Sequence, residues 1–143
     1  ILVLQGLKST HISGLTFTRD GQLLSFARGD EMFLFDCKRS LMKSIGRGIQ
    51  PKLSPSGKHV SFVDQSNHLI VKNMQTSANL TVGETDSDGA TWSADGTRLM
   101  YCRPIVGVRD KNSEVVIYDL ASQRSEVQGR AWTLGGSWWW IVR

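Results

Sequence analysis

The chain alternates short apolar segments with polar turns along its whole length. Within the apolar segments, hydrophobic and polar residues alternate with period two, as in Leu15 and Phe17 or in Val60 and Phe62. Period-two alternation is typical of half-buried strands, whereas amphipathic helices repeat every three to four residues. No segment of the sequence shows the helical spacing, so the pattern predicts an all-β chain.

One unit, consisting of a strand, a glycine turn and a second strand, recurs along the sequence. The turn glycines Gly21, Gly57, Gly96 and Gly136 are 36, 39 and 40 residues apart. An Asp, Ser or Gly precedes each of them, and such pairs supply the positive φ that a tight hairpin turn requires. Two more strands follow each of the first three turns. This predicts four-stranded antiparallel units near 8–46, 47–83 and 84–128, and part of a fourth at 129–143.

The turn sequences resemble those of a known repeat family. Residues 53–58 (LSPSGK), 92–96 (WSADG) and 116–120 (VIYDL) are similar to the signatures of WD40-like β-propeller repeats. Repeats of this type occur in TolB and in the N-terminal propellers of the prolyl oligopeptidase and dipeptidyl peptidase IV families. The resemblance implies four-stranded blades arranged as a β-propeller. The Gly-His pair of classical WD40 repeats is missing, which favours the WD40-like group.

The number of repeats is too small for a ring. Propellers use about 4–8 blades, and a terminal blade needs a neighbour to bury its face. We therefore expect a segment of a larger propeller, with self-association of several chains into one ring and a truncated toroid as alternatives. The adjacent Trp138, Trp139 and Trp140 must point to both faces of one strand, so we expect them to include an interface anchor.

Composition narrows the class of protein. A length of 143 residues suffices for about one domain. The 40% apolar and 21% charged residues exclude a disordered chain, and 2 Cys exclude a disulfide scaffold. No apolar run approaches the roughly 18 residues of a membrane-spanning helix, so no membrane partner is expected. The net charge of +4 permits an acidic partner without requiring one, and no compartment is predicted.

The sequence contains no recognisable catalytic motif. A Gly-x-Ser-x-Gly nucleophile elbow, a Walker loop and a dinucleotide-binding glycine loop are all missing. Glu84, Asp86, Asp88 and Asp95 have the spacing of a calcium loop, but the first and last ligands are of the wrong type. An acidic solvated loop explains them better. We therefore predict no catalytic residue, no metal and no cofactor for this chain.

The connection between the second and third strands of the third unit is unusually long and spans 103–112. Binding residues are concentrated in loops that a rigid sheet holds in place. Arg103, Arg109, Asp110 and Lys111 are therefore the candidate recognition residues. A passive insertion is the alternative interpretation.

Basic side chains are concentrated between Cys37 and Val63, where no acidic residue occurs. Such a basic cluster could attract an acidic partner, whose binding would then weaken as salt rises. Nucleic acid is not the expected partner, because aromatic residues are not interleaved with the basic ones. Blade geometry is also expected to spread these side chains over both ends of the sheets. The basic cluster consists of Lys38, Arg39, Lys43, Arg47, Lys52 and Lys58.

Together these features predict a non-catalytic propeller module for recognition or scaffolding. Its partner would be another protein, or the remaining blades or domains of its own parent protein, bound through loops at one face of the ring. The resemblance also implies two alternatives. One is a propeller that gates substrate entry to a serine peptidase domain absent from this chain, and the other is a TolB-like periplasmic scaffold.

Overall fold

A computed structural model describes the backbone of residues 11–86, 88–106, 112–134 and 137–142, and the side chains of residues 11–86, 88–106 and 113–130. These residues form strands and no helix, which confirms the all-β prediction. None of them belongs to a helix long and apolar enough to cross a membrane.

The strands pair antiparallel, in chain order, within three sheets. The first sheet contains β1 (Ile12–Phe17), β2 (Leu23–Arg28), β3 (Glu31–Asp36) and β4 (Leu41–Arg47). The second contains β5 (Ile49–Leu53), β6 (His59–Val63), β7 (His68–Asn73) and β8 (Asn79–Glu84). The third contains β9 (Ala90–Trp92), β10 (Arg98–Pro104), β11 (Asn112–Asp119), β12 (Arg124–Leu134) and β13 (Ser137–Val142).

The hairpin turn between the first two strands is built in the same way in every sheet. Its glycine has a φ of +69°, +71° or +73° in Gly21, Gly57 and Gly96 respectively, a conformation that glycine adopts without steric cost. A hydroxyl three residues earlier accepts a hydrogen bond from the backbone N–H that opens the second strand, at 3.0–3.1 Å. These hydroxyls belong to Thr18, Ser54 and Ser93.

The turn between the third and fourth strands lies at the same end of each sheet as the hairpin turn. A backbone hydrogen bond joins the two turns in all three sheets, at 2.8–3.0 Å. The N–H donors and carbonyl acceptors are Cys37 and Gln22, Met74 and Lys58, and Leu120 and Thr97. We call this end the turn end. The opposite end, which carries the connections β2–β3, β6–β7 and β10–β11 and the links between sheets, is the loop end.

Two hydrophobic layers hold the three sheets together. The layer between the first and second sheets includes Met32, Leu34, Val60, Phe62 and Ile70. The layer between the second and third includes Leu69, Val71, Leu99, Tyr101 and Val116. The second sheet is therefore apolar on both faces, as a blade packed between two neighbours must be.

Matching positions of the repeats occupy matching places in these layers. Leu53 and Trp92 each end the first strand of their sheet, and each packs in the layer shared with the preceding sheet. Phe17 ends β1 in the same way. It is 56% exposed, because no sheet precedes it in the described part of the chain.

The first strands of the three sheets lie along one inner edge. β5 contacts β1 and β2, and β9 contacts β5. β1 approaches β5 closely at Gly14, where an added Cβ would lie 2.4 Å from Cδ of Pro51. The hydroxyl of Ser25 donates to the Pro51 carbonyl at 3.5 Å and holds the same contact from β2.

The third sheet differs from the predicted units at its C-terminal side. A partial fourth unit was expected at 129–143, after a short fourth strand ending near Val127. Instead β12 continues without a break through Leu134, and β13 pairs with it as a fifth strand of the same sheet. The reason lies in β11, which is longer than β3 or β7 and offers β12 a partner as far as Asn112.

Candidate functional site

A cavity of about 490 Å³ opens at the turn end of the inner edge. This volume falls within the range of about 300–1,000 Å³ that is typical of ligand pockets. Its wall comes from matching positions of the three repeats, so all three sheets converge on it. We call it the inner-edge cavity; it is lined by Phe17, Leu53 and Trp92 at the strand ends, by Arg19, Pro55 and Ala94 two residues later, and by Lys52, Ala90 and Thr91.

Hydrogen bonds between sheets fix the wall of the inner-edge cavity. The backbone N–H of Arg19 donates to the carbonyl of Pro55 at 2.9 Å, joining the first hairpin turn to the second. The indole Nε1 of Trp92 donates to the carbonyl of Lys52 at 2.9 Å, joining β9 to β5. The ring of His59 stacks on Trp92 with 6.1 Å between centroids. The wall is therefore held in place before any ligand binds.

The charge of this wall is positive. Arg19 and Lys52 are its charged residues, and no carboxylate lines it. The neighbouring Asp20 and Asp95 direct their oxygens into their own turns instead. Asp20 accepts from the Thr18 hydroxyl at 2.6 Å, and this bond lowers the pKa of Asp20. The pKa of Asp95 falls to about 2, mainly through the hydrogen bond from the Ser93 hydroxyl.

A second cavity, of about 400 Å³, lies nearer the loop end of the third sheet and is acidic. Asp86 and Asp88 line it together with Cys102. Burial raises the pKa of Asp86. Burial and the two carboxylates raise the pKa of the Cys102 thiol to about 11. No group of three or more His, Cys, Asp or Glu side chains within the described ranges is placed to hold a metal ion.

The long connection of the third unit is shorter than the sequence indicated. Arg103 was expected in this loop, but it lies in β10, opposite Glu114 of β11. Its Nη2 and Nε both donate to Oε2 of Glu114, at 2.6 and 3.2 Å, and this pairing raises the pKa of Arg103. Arg103 is therefore engaged within its own sheet. Arg109, Asp110 and Lys111 lie outside the described residues and stay candidate recognition residues.

The basic cluster is dispersed over the first two sheets. Lys38, Arg39 and Lys58 lie at the turn end, Arg47 at the loop end, Lys43 within β4 and Lys52 on the inner-edge cavity. Arg39 pairs with Asp36 at 3.0 Å, and Arg47 approaches Asp30 at 3.9 Å. The structure thus brings only Lys52 to the cavity and does not assemble the six side chains into one patch.

The expected interface anchors Trp138, Trp139 and Trp140 lie in β13. Their side chains are outside the described part of the structure. β13 pairs with β12 alone and stands at the edge of the third sheet. Their role as an interface anchor stays a prediction.

Three solved structures resemble the chain closely in fold. A TolB-like protein from Agrobacterium tumefaciens matches 90% of the chain with a TM-score of 0.65 and 16% identity. The β-propeller domain of the trilobed protease from Pyrococcus furiosus matches 86% of it, with a TM-score of 0.63 and 18% identity. Oligogalacturonate lyase from Vibrio parahaemolyticus matches 80%, with a TM-score of 0.59 and 16% identity. The fold is that of β-propeller blades.

The likeness extends to the fold alone. The chain spans 52% of the TolB-like protein, 42% of the protease domain and 38% of the lyase. No protein-family model and no curated protein sequence matches it. The three four-stranded antiparallel meanders are therefore propeller blades, the third of them extended by β13.

Sequence reasoning did not select Phe17, Arg19 or Trp92 as site residues. Phe17 and Trp92 end strands and Arg19 lies in a hairpin turn, and the strand–turn pattern alone accounts for all three positions. A signal was nevertheless present. Writing the repeats one above another aligns Phe17 with Trp92, and Arg19 with an uncharged residue in the other two repeats. A charged residue at a position that is otherwise uncharged can indicate a function peculiar to that repeat.

Proposed function

We propose that this chain is a propeller segment that recognises another protein and has no catalytic role of its own. The observation that supports this function is the separation of charge between its two ends. At the turn end, the Asp side chains accept hydrogen bonds within their turns. At the loop end, Asp30, Glu84 and Asp88 are exposed and accept no hydrogen bond from a described turn, whereas Asp64 accepts from the backbone N–H groups of Ser66 and His68. Charged loops on a rigid scaffold favour a partner of complementary charge, and they steer its approach.

The remaining blades of a parent protein are the second partner in this proposal. The row of side chains that crosses the free face of the first sheet contains Phe17, Leu24, Phe35 and Met42, which are paired across the strands. In the matching row of the second sheet, Leu53 and Val60 are buried against the first sheet and Lys72 donates to the carbonyl of Ile45, whereas Asn79 at the end of the row is exposed. A further blade would cover the free row in the same way.

Site-specific photo-crosslinking tests the recognition role. A photoreactive residue would replace Ser66, which is exposed at the loop end, and, as the matched control, Gln75, which is exposed at the turn end. We expect one discrete cross-linked protein from position 66 in the producing cell, and less of it at higher salt. Equal products from both positions, or none from position 66, would contradict recognition at the loop end.

Gating of a peptidase is the second candidate function. It is favoured by the likeness to the propeller domain of the trilobed protease. The test is hydrolysis of a chromogenic peptide by the parent protein and by the parent without this segment. Gating predicts that removal increases the cleavage of large substrates relative to small ones. A parent protein with no hydrolysis would exclude this candidate.

A further inference from the structure

We propose that the inner-edge cavity binds a carboxylate held beside an apolar side chain in a peptide. This inference rests on the proposed recognition function and names the chemistry of one partner segment. The carboxylate can be a peptide C-terminus or an Asp or Glu side chain, since both present the same group. The site lies at the turn end, on the opposite side of the sheets from the acidic loops.

The first reason is the positive charge of the cavity wall. Arg19 and Lys52 belong to different sheets, and both line the cavity. Among the described residues, neither has a carboxylate within 4 Å. Lys52 also lines the acidic cavity, yet it forms no ion pair with Asp86 or Asp88. A guanidinium and an ammonium on residues that line the same cavity can provide a bidentate donor and a point charge for a carboxylate.

The second reason is the apolar surface beside these charges. Phe17, Pro55 and Trp92 line the cavity, and each of them is at least partly exposed. An apolar side chain of the ligand would cover this surface while its carboxylate reaches the cations. Most ligand pockets combine an apolar wall with a few polar groups that fix orientation.

A peptide fits this wall better than a nucleic acid does. Single-stranded nucleic acid needs a groove of several cations and open aromatic faces for stacking. Here the wall holds two cations, and one face of the Trp92 ring is already covered by His59. The other basic residues of the turn end, such as Lys58, lie outside the cavity.

Fluorescence anisotropy with labelled peptides tests the inference on the full chain. The first peptide ends in Leu-Phe with a free carboxylate and has no other charge. The second is its C-terminal amide, and the third is an amidated peptide with one Glu next to Phe. We expect binding of the first or the third, which identifies the source of the carboxylate, and no binding of the second. Equal binding of the second peptide would overturn the inference.

Matched variants locate the site. We expect Lys52→Gln and Arg19→Gln each to weaken binding about tenfold, because each removes one charge-assisted hydrogen bond. Lys58→Gln removes the same charge from the same end, outside the cavity, and should leave affinity unchanged. Three results would overturn the inference: equal losses in all three variants, no binding at millimolar peptide, or displacement of the peptide by oligothymidylate.

The experiments distinguish failure of the proposed recognition at the loop end from failure of the proposed peptide site in the inner-edge cavity. If peptide binding depends on Lys52 but position 66 gives no cross-link, the cavity proposal stands and recognition at the loop end is rejected. Cross-linking from position 66 without carboxylate-dependent peptide binding would reject the cavity alone.

Discussion

At the scale of single residues, two glycines with the same backbone conformation meet different surroundings. Gly14 and Gly21 have φ of +68° and +69°. A Cβ on Gly14 would lie 2.4 Å from Cδ and 2.5 Å from the backbone nitrogen of Pro51, whereas a Cβ on Gly21 would have nothing within 4 Å. Of these two positions, only Gly14 leaves no room for a side chain, because the next sheet packs against it.

Alanine substitutions should separate these two effects. Gly21→Ala carries only the left-handed backbone strain, and we expect it to lower the free energy of unfolding by about 1 kcal/mol. Gly14→Ala adds a clash with a backbone atom of β5, and we expect a loss of at least about 3 kcal/mol. Urea denaturation measures both. Equal losses would mean that β1 and β5 do not approach as described.

The two cysteines should differ in reactivity. Cys37 is exposed, whereas Cys102 is partly buried with a pKa raised to about 11. Because the thiolate is the reactive form, we expect iodoacetamide at pH 8 to label Cys37 at least about tenfold faster. Peptide mass spectrometry after short exposures measures the two rates. Asp86→Asn should increase the rate at Cys102, since it removes a charge that raises this pKa, and an unchanged rate would contradict that cause.

At the scale of elements, the hairpin turns make stability depend on pH. The folded pKa of Asp95 is about 2, below its ordinary value of 3.8. A group with a depressed folded pKa stabilises the fold above its unfolded pKa, and this contribution is lost as pH falls. We therefore expect stability to decline between about pH 4 and pH 2, and Asp95→Asn to reduce that decline.

Urea midpoints measured from pH 5 to pH 2.5 test this expectation. The control is Asp30→Asn, which removes the same charge at the loop end, where the side chain accepts no hydrogen bond from the described backbone. Its pH profile should stay close to that of the unchanged chain. A larger effect from Asp30→Asn than from Asp95→Asn would contradict the role of the turn.

The strands and their grouping were predictable because each turn is specified locally. Gly57 needs only its immediate neighbours to form a hairpin, and alternating residues such as Val60 and Phe62 then mark the buried faces. The continuation of β12 to Leu134 was not predictable in this way. It depends on the length of β11 and on backbone pairing with Asn112, which no nearby residue specifies.

The candidate site was not predictable from one turn at a time. Arg19, Lys52 and Trp92 come from three repeats, and only the packing of the sheets brings them to one cavity. The position of Arg103 was also not predictable, since a charged residue beside a long connection was expected in the loop and lies in β10 instead. Its pairing with Glu114 across the strands became visible only once the register of β10 and β11 was known.

At the scale of the whole molecule, one face of the first sheet is covered, and the other, its free face, meets no further sheet among the described residues. The row that runs from Phe17 to Met42 crosses the free face, and these two side chains are 56% and 50% exposed. Large apolar patches of this kind are typical of interaction surfaces. In the isolated chain, we expect this face to drive self-association.

Replacing the exposed ends of this row should reduce self-association. We expect Phe17→Thr with Met42→Thr to lower the weight-average mass in sedimentation toward the 15.9 kDa of one chain. Leu41→Thr is the control, because Leu41 is 62% exposed but lies opposite Asp36, on the other face. An equal effect of the control, or an unchanged chain that sediments as a monomer, would contradict this role of the free face.

The hydrogen bond that joins the two turns at the turn end has a consequence for the history of this gene. Donor and acceptor always come from the same blade, as with Cys37 and Gln22 or Met74 and Lys58. In-frame duplication or loss of one complete blade would leave every such bond intact, and would place the new junction in a link between sheets at the loop end. Related genes can therefore differ in length by whole blades while each blade keeps the hydrogen bond between its own two turns.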